Sequence, residues 1–418
     1  MNKKSTRIYL LEEASVASAL LKLGIPTMIG MLISALYNVI DAYFVGGLGI
    51  SQMGAVSVVF PIVQIIIGLG MMFGAGASSY ISRLLGKGDV EQANITASAA
   101  LFSSILAGGI IIAGILIFIE PVLTAQGATK YTTFAMLTGS VANVILDPIM
   151  IYGLDLGIEG AAIATVISLC INMGFYIWYI LSGKGVLEFS FKKIKFSKTI
   201  YREILKIGIP VLLFQLLASA AMGAINTSAK PYGDYAVAAM GAVTRIMTVV
   251  TYVVFGFLKG FQPFAGYNYG AKHFDRLKKS IKLCLIWSTV FCVISATILM
   301  FFSKSIVSLF GTDIQMISLA SLALKLNALL FVTFGFQMVY ASLYLAIGKS
   351  LIGSILSLSR QGIFFFPLLL ILPYLFGLTG VISVQPFADV LTTIITIIFA
   401  VKLNGYLIKD TTLSFSED

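Results

Sequence analysis

The apolar runs of this chain are too long and too unbroken for a fold that lives in water. Ile95–Ile119 and Ile281–Phe302 are continuous, and a helix needs about 20 such residues to cross roughly 30 Å of hydrocarbon. Lipid offers the backbone no hydrogen-bond partners, so only helices or a closed barrel can span it. A membrane barrel would show ten-residue segments of strict alternation, and the runs here do not alternate. Composition agrees. Hydrophobic residues make up 58% and charged residues 11% of the 418 positions, where soluble chains carry roughly 25% charge. The fold class expected is an all-α polytopic membrane protein.

A net charge of +10 could suggest a nucleic-acid partner, but the positions of the basic residues argue against one. Lys3, Lys4 and Arg7 precede the first span, and Arg83 and Lys87 follow the second. Lys184, Lys192, Lys193, Lys195, Lys198 and Arg202 fill the long central loop; Lys272, Arg276, Lys278 and Lys279 follow the seventh span, and Lys349 with Arg360 flanks the tenth. Segments facing the other way, Gly46–Gly49 and Leu154–Gly157, lack Lys and Arg. The positive-inside rule then places the N-terminus in the cytoplasm of a multi-pass protein of the cell membrane. Met1–Glu13 lacks the apolar core of a cleavable signal peptide, so the first apolar segment is expected to act as a signal anchor. Cys170, Cys284 and Cys292 lie in apolar segments without metal spacing and read as packing residues.

Eleven spans are expected, at about 19–45, 54–82, 95–119, 131–152, 158–182, 205–228, 236–264, 280–302, 318–346, 352–376 and 379–402. They fall into two parallel repeats. Leu21-Lys22-Leu23-Gly24-Ile25-Pro26 opens the first span and Leu205-Lys206-Ile207-Gly208-Ile209-Pro210 the sixth, an offset of 184 that recurs from Gly86 to Gly270. Further on, Ala125-Gln126-Gly127 matches Ala346-Ile347-Gly348 at an offset of 221, and Gly160 matches Gly380 at 220. The first repeat is therefore short by 37 residues between Gly86 and Gly127, about one span with its connection. Topology agrees, because span three should end outside near Glu120-Pro121 whereas Lys130 matches a cytoplasmic position of the second half. The first repeat is expected to lack its fourth helix relative to a 6+6 parent. The domains read as an N-lobe over 1–182, a basic cytoplasmic linker over 183–202 and a C-lobe over 203–418, with the lobes around a central cavity.

Ionisable groups within a bilayer are costly and are functional candidates by default. Asp41, Asp147 and Thr165 all fall roughly 8–11 Å below the outer boundary at 1.5 Å per residue. Asn143 and Asp147 share one helix face at i,i+4, and Asn38 neighbours Asp41 at i,i+3. Two carboxylates, two amides and a hydroxyl suit a hard cation such as Na⁺, or a shared proton. An interfacial Asp41 and a simple kink at Asp147-Pro148 are the bland alternative. Gln64, Gln215, Arg245 and Asp389 are more speculative substrate-cavity positions, with the partner of Asp389 open; Lys259 reads as snorkelling to the inner surface. No Walker loop, Ser-His-Asp set or metal-ligand cluster is visible, and the single His273 sits in a loop. The chain therefore reads as no enzyme, with no cofactor beyond a coupling ion.

Several stretches together resemble the multidrug and toxic compound extrusion (MATE) family, in its bacterial multidrug-export branch. They are Tyr37-Asn38-Val39-Ile40-Asp41 through Phe44-Val45-Gly46, Gln262-Pro263-Phe264 with Gly266-Tyr267-Asn268-Tyr269-Gly270-Ala271, Asn143 through Leu146-Asp147-Pro148, Gly160-Ala161-Ala162 with Thr165, and Gln385-Pro386-Phe387-Ala388-Asp389. The resemblance implies two six-helix lobes, alternating access, and efflux of organic cations in exchange for protons or sodium. It also implies a cation site on Asp41, Asn143, Asp147 and Thr165. The expected partners are a small-molecule substrate and the lipid bilayer, with no nucleic acid and a monomeric state. Flipping of lipids or lipid-linked sugars is the first alternative, and it would want a wide cationic cavity. A transport-impaired membrane scaffold is the second, prompted by the missing helix.

Overall fold

A computed structural model describes residues 9–46, 50–108, 119–183, 185–189 and 197–414. Most of the described residues are helical, and none lies in a strand. In chain order the helices are α1 Val16–Gly46, α2 Ile50–Gly86, α3 Val90–Gly108, α4 119–125, α5 Thr129–Pro148, α6 Gly157–Leu181, α7 Lys198–Ala229 and α8 Asp234–Gly270. Then follow α9 Phe274–Phe301, α10 Ile314–Phe331, α11 Phe334–Ala346, α12 Ser350–Leu358 and α13 Phe365–Ser414. Nine helical stretches among the described residues are long and apolar enough to cross a membrane. One of them, Ser350–Leu403, is two spans in one, because Gly377 breaks α13 with φ +58°. This agrees with the spans read from hydropathy, except that 318–346 is interrupted at Val332–Thr333 and 95–119 runs partly outside the described residues.

Among the described residues, two π-helical turns interrupt the regular ladder. Pro148 has no N–H to give to Val144, and the chain then runs through a π turn at Ile149–Gly153, where Leu154 N–H bonds to the carbonyl of Ile149. The second π turn, Ser359–Ile363, joins α12 to α13.

The described residues 119–125 of the first repeat are helical. At the offset of 221, α4 corresponds to 340–346, the C-terminal half of α11. The expectation that the first repeat lacks its fourth helix turns on 109–118, which lie outside the described residues; the described 119–125 are anchored by their side chains. Ile119, Val122, Leu123 and Ala125 are buried, and the Gln126 side chain accepts from the backbone N–H of Val186 and Leu187 at 2.7 and 3.2 Å. The outer part of α9 and all of α10 have no described counterpart in the first repeat.

Packing divides the chain into two compact units at places other than the repeat boundary. The first comprises 1–215, 255–273 and 346–348; the second comprises 216–254, 274–345 and 349–418. The first unit thus joins the first repeat to the basic-loop ends of α7, α8 and α11. Its seam is built where glycines let backbones touch, the usual means of close approach between membrane helices. A side chain on Gly260 of α8 would lie 2.6 Å from the Cα of Gly24 on α1. The repeat-related Gly76 and Gly208, each 184 residues from one of that pair, bring α2 and α7 together against the carbonyls of Ile204 and Met72. Gly86 and Gly270 form a self-related pair, one against the carbonyl of Tyr267 and the other against that of Arg83. The offset of 184 thus reappears in space as a local pseudo-two-fold.

Polar contacts close the same end. Arg83 pairs with Glu203 at 2.9 Å, the Tyr267 hydroxyl donates to Glu12 at 3.1 Å, and the Asn268 amide donates to the carbonyl of Leu11 at 3.1 Å. In the second unit the apolar core gathers Ala221, Met240 and Val243, Ala320, Leu324 and Ala328 of α10, Phe365 and Leu369 of α13, and Val381 beyond its break.

Gly260→Ala forces a methyl group into backbone, an overpacking cost of about 1–3 kcal/mol. It should lower the melting temperature in detergent, read by scanning fluorimetry. Gly174→Ala, with nothing within 4 Å of the new methyl, should leave it unchanged or raise it slightly. Equal melting of the two variants would refute the account of the seam.

Candidate functional site

Helices α5 and α6 bring three of the predicted site residues together. Asn143 and Asp147, one turn apart on α5, are 1% and 0% exposed. Thr165, on α6, donates its hydroxyl to the carbonyl of Ala161 at 3.0 Å, the usual resting place of a helical Thr. Its oxygen is then left to accept, and it does so from the Asn143 amide at a long 3.4 Å. That contact turns the Asn143 carbonyl oxygen the other way, where it is buried without a hydrogen-bond partner. Buried acceptors are normally satisfied. The unsatisfied amide oxygen lies one turn from the buried Asp147 carboxylate.

Helix α1, which carries Asn38 and Asp41, packs directly along α5. Their ends away from the basic loops are tied by the Tyr152 hydroxyl, which donates to the carbonyl of Phe44 at 2.8 Å, with the two rings edge-to-face at 6.4 Å. Phe44 lies three residues beyond Asp41 and Tyr152 five beyond Asp147, so the two acids occupy similar levels on neighbouring helices. The side chains of Asn38, Asp41 and Gln64 lie outside the described residues.

The second repeat acts as an internal control on this polar pair. Gly160 sits against the carbonyl of Met150, and its counterpart Gly380 against that of Leu372. Those contacts align Met150 with Leu372, hence Asp147 with Leu369 and Asn143 with Phe365, at a local offset of 222. Phe365, Leu369 and Leu372 all belong to the apolar core of their unit. The fold is content with hydrocarbon there, so a carboxylate and an amide in the first repeat serve something other than packing.

The remaining predicted residues lie apart. Gln215 on α7 is partly buried and Arg245 on α8 is exposed. Asp389 is buried on α13 and held by Arg360, whose Nε and Nη2 donate at 2.7 and 3.3 Å to the two carboxylate oxygens. The Gln385 amide adds a third bond at 2.9 Å, and the Phe334 ring lies 4.7 Å from the guanidinium carbon. This corrects the reading of Arg360 as a charge at the membrane surface: it is 8% exposed, inside the π turn between α12 and α13. Lys259 also differs from expectation. Its ammonium does not reach for the aqueous surface but bonds both oxygens of Glu120, at 3.0 and 3.1 Å. Glu120 drew no attention in the sequence because it looked like the outer end of a span; only its alignment with Ala341 on α11 would have placed it inside one.

No group of three His, Cys, Asp or Glu side chains occurs among the described residues, and the donors at Asn143, Asp147 and Thr165 are all oxygens. That set fits a proton or a small hard cation, which takes oxygen ligands, and not a soft transition metal. A cleft of about 700 Å³ between α5 and α6 is lined by Lys130, Tyr131, Phe134, Phe175 and Trp178. It is apolar, lies toward the basic ends of those helices, and includes none of the polar trio.

The chain matches the MatE family over residues 26–129 and 207–371. It is 31% identical to a protein named Multidrug export protein MepA from Staphylococcus haemolyticus over 445 positions, covering 97% of this chain and 98% of that one. It is 30% identical to the MepA of Staphylococcus aureus strain MSSA476, with 98% of each chain covered. Since 97% of 418 residues is about 405, about 40 of those 445 positions are filled only in the first relative. Among solved structures, a MATE protein in the bent conformation superposes with a TM-score of 0.87 at 25% identity, over 97% of this chain and 99% of that one. An outward-facing MATE multidrug resistance transporter superposes at 0.89 and 24% identity, over 96% and 98%.

Removing one partner of a buried ion pair costs about 3–5 kcal/mol, while replacing both by apolar residues is often neutral. Arg360→Met alone should therefore lower thermal stability sharply, and Arg360→Met combined with Asp389→Leu should recover most of it. A double variant no more stable than the single one would show that the pair's neighbours, not the pair, set the cost.

Proposed function

Because the chain belongs to the MatE family of multidrug efflux transporters, we propose that it exports amphipathic organic cations in exchange for protons or Na⁺ by alternating access. The observation that carries the reading is the fully buried Asp147 carboxylate beside the unpartnered Asn143 oxygen, at positions where the second repeat has Leu369 and Phe365. A carboxylate at that depth is costly unless a cation or proton accompanies it. It therefore holds one coupling ion at a time, with Asn143 and Thr165 fixing the ligand geometry and α1 supplying Asp41 from the neighbouring helix.

The multidrug names carried by the staphylococcal relatives support the substrate class. The moving bodies we propose are the two repeats, 1–182 and 203–418, joined by the basic linker 183–202. The charge distribution supports a cytoplasmic N-terminus in the cell membrane, and we propose that one chain suffices.

Reconstituted in liposomes, the wild-type protein should move ethidium against a proton or Na⁺ gradient. Asp147→Asn removes a charge-assisted ligand worth about 1.5–3 kcal/mol, so gradient-driven transport should fall roughly tenfold or more. Transport by Asp147→Asn and Asp41→Asn at the wild-type rate would overturn the coupling mechanism.

A further inference from the structure

The ion pair between Glu120 and Lys259 has no role in the cation site, yet it places two charges within apolar helices. Glu120 stands on α4, six residues before Gln126; Lys259 stands on α8, eleven residues before Gly270, or about 16 Å along the axis at 1.5 Å per residue. Both side chains keep some exposure, 15% for Glu120 and 27% for Lys259. Charges at such depth pair with each other and mark functional paths.

The repeat supplies a control here too. Glu120 corresponds to Ala341 at the offset of 221, and Lys259 to Ala75 at the offset of 184. The duplicated fold fills the mated positions with two alanines, so the charged pair is not a requirement of its packing. It also joins the repeats, with Glu120 from the first and Lys259 from the second.

Lys259 immediately precedes Gly260, whose backbone rests on Gly24 of α1. The bond to Glu120 is therefore made in the state where the seam of α1, α2, α7 and α8 is closed at the basic-loop end. An opening of that end that parted α8 from the first repeat would take Lys259 with it. Glu120 would then be left as an uncompensated carboxylate at an opening toward the cytoplasm, where an amphipathic cation could reach it. When the seam closes, the tethered ammonium returns at high effective concentration and competes for the same two oxygens.

We propose that Glu120 is the docking carboxylate for the organic cation at the cytoplasmic side, and that Lys259 is the built-in competitor that displaces it as that side closes. The proposal rests on the cation-export reading above. It assigns direction to the pair: a cation is accepted from the cytoplasm and released only away from it.

Tetraphenylphosphonium is the probe, with the full-length protein in liposomes and nanodiscs. Lys259→Gln should bind it roughly tenfold more tightly, the scale of one charge-assisted bond no longer competing, and should export it more slowly. Lys259 and Glu120 both replaced by Gln should bind it no more tightly than wild type, because the carboxylate is gone. Lys259→Arg, a stronger bidentate competitor that keeps the pair and its packing, should bind it more weakly than wild type; that variant decides the matter if Lys259→Gln proves too unstable to purify. Lys259→Gln binding no tighter than wild type, the double variant binding as tightly as Lys259→Gln, or Lys259→Arg binding no more weakly than wild type would overturn the competitor role. Wild type that neither binds nor exports the probe would instead overturn the cation-export reading itself.

Discussion

Backbone contact at glycine holds the first unit together. Between membrane helices the hydrophobic effect offers little, because lipid tails are as apolar as leucine, and association falls to close packing and polar bonds. Gly24 against Gly260, Gly76 and Gly208 against facing carbonyls, and Gly86 with Gly270 bring α1, α2, α7 and α8 to distances that any side chain would forbid. The polar contacts of that end depend on those distances. Arg83 reaches Glu203, and Asn268 reaches the carbonyl of Leu11, only because the helix axes approach so closely. Lys259 reaches Glu120 for the same reason.

Duplication gives the chain its own reference for separating packing from chemistry. Where both copies use glycine, as at Gly24 and Gly208, the position serves the fold. Where one copy uses hydrocarbon and the other a polar group, the polar group answers to something else. Asn143 and Asp147 stand opposite Phe365 and Leu369 in the repeat register, and Glu120 and Lys259 opposite Ala341 and Ala75. The Arg360–Asp389 pair is different in kind, with each charge facing its opposite and a glutamine and an aromatic ring completing the shell. The first repeat thus holds Asp147 beside the unsatisfied Asn143 oxygen and Glu120 against Lys259, while the second keeps its buried acid bound to an arginine.

Hydropathy and repetition alone determined a good deal: the helical membrane class, nearly every span, the register of the two repeats, and the grouping of Asn143, Asp147 and Thr165. All of these follow from period, spacing and depth along single helices, which a linear sequence records. The glycine offsets were visible as well, though not what they touch. Tertiary structure alone decided the partners. Arg360 looked like a surface charge until α13 folded back to place Asp389 against it, and Lys259 looked like a snorkelling side chain until α4 offered Glu120. These pairings lie 29 and 139 residues apart in sequence, and the angles and contacts between helices choose them, which no periodicity within a helix encodes. The place of α4 was hidden for the same reason. Its described residues, 119–125, look in the sequence like the end of an apolar run, and only their contacts with Val186 and Lys259 show where they pack.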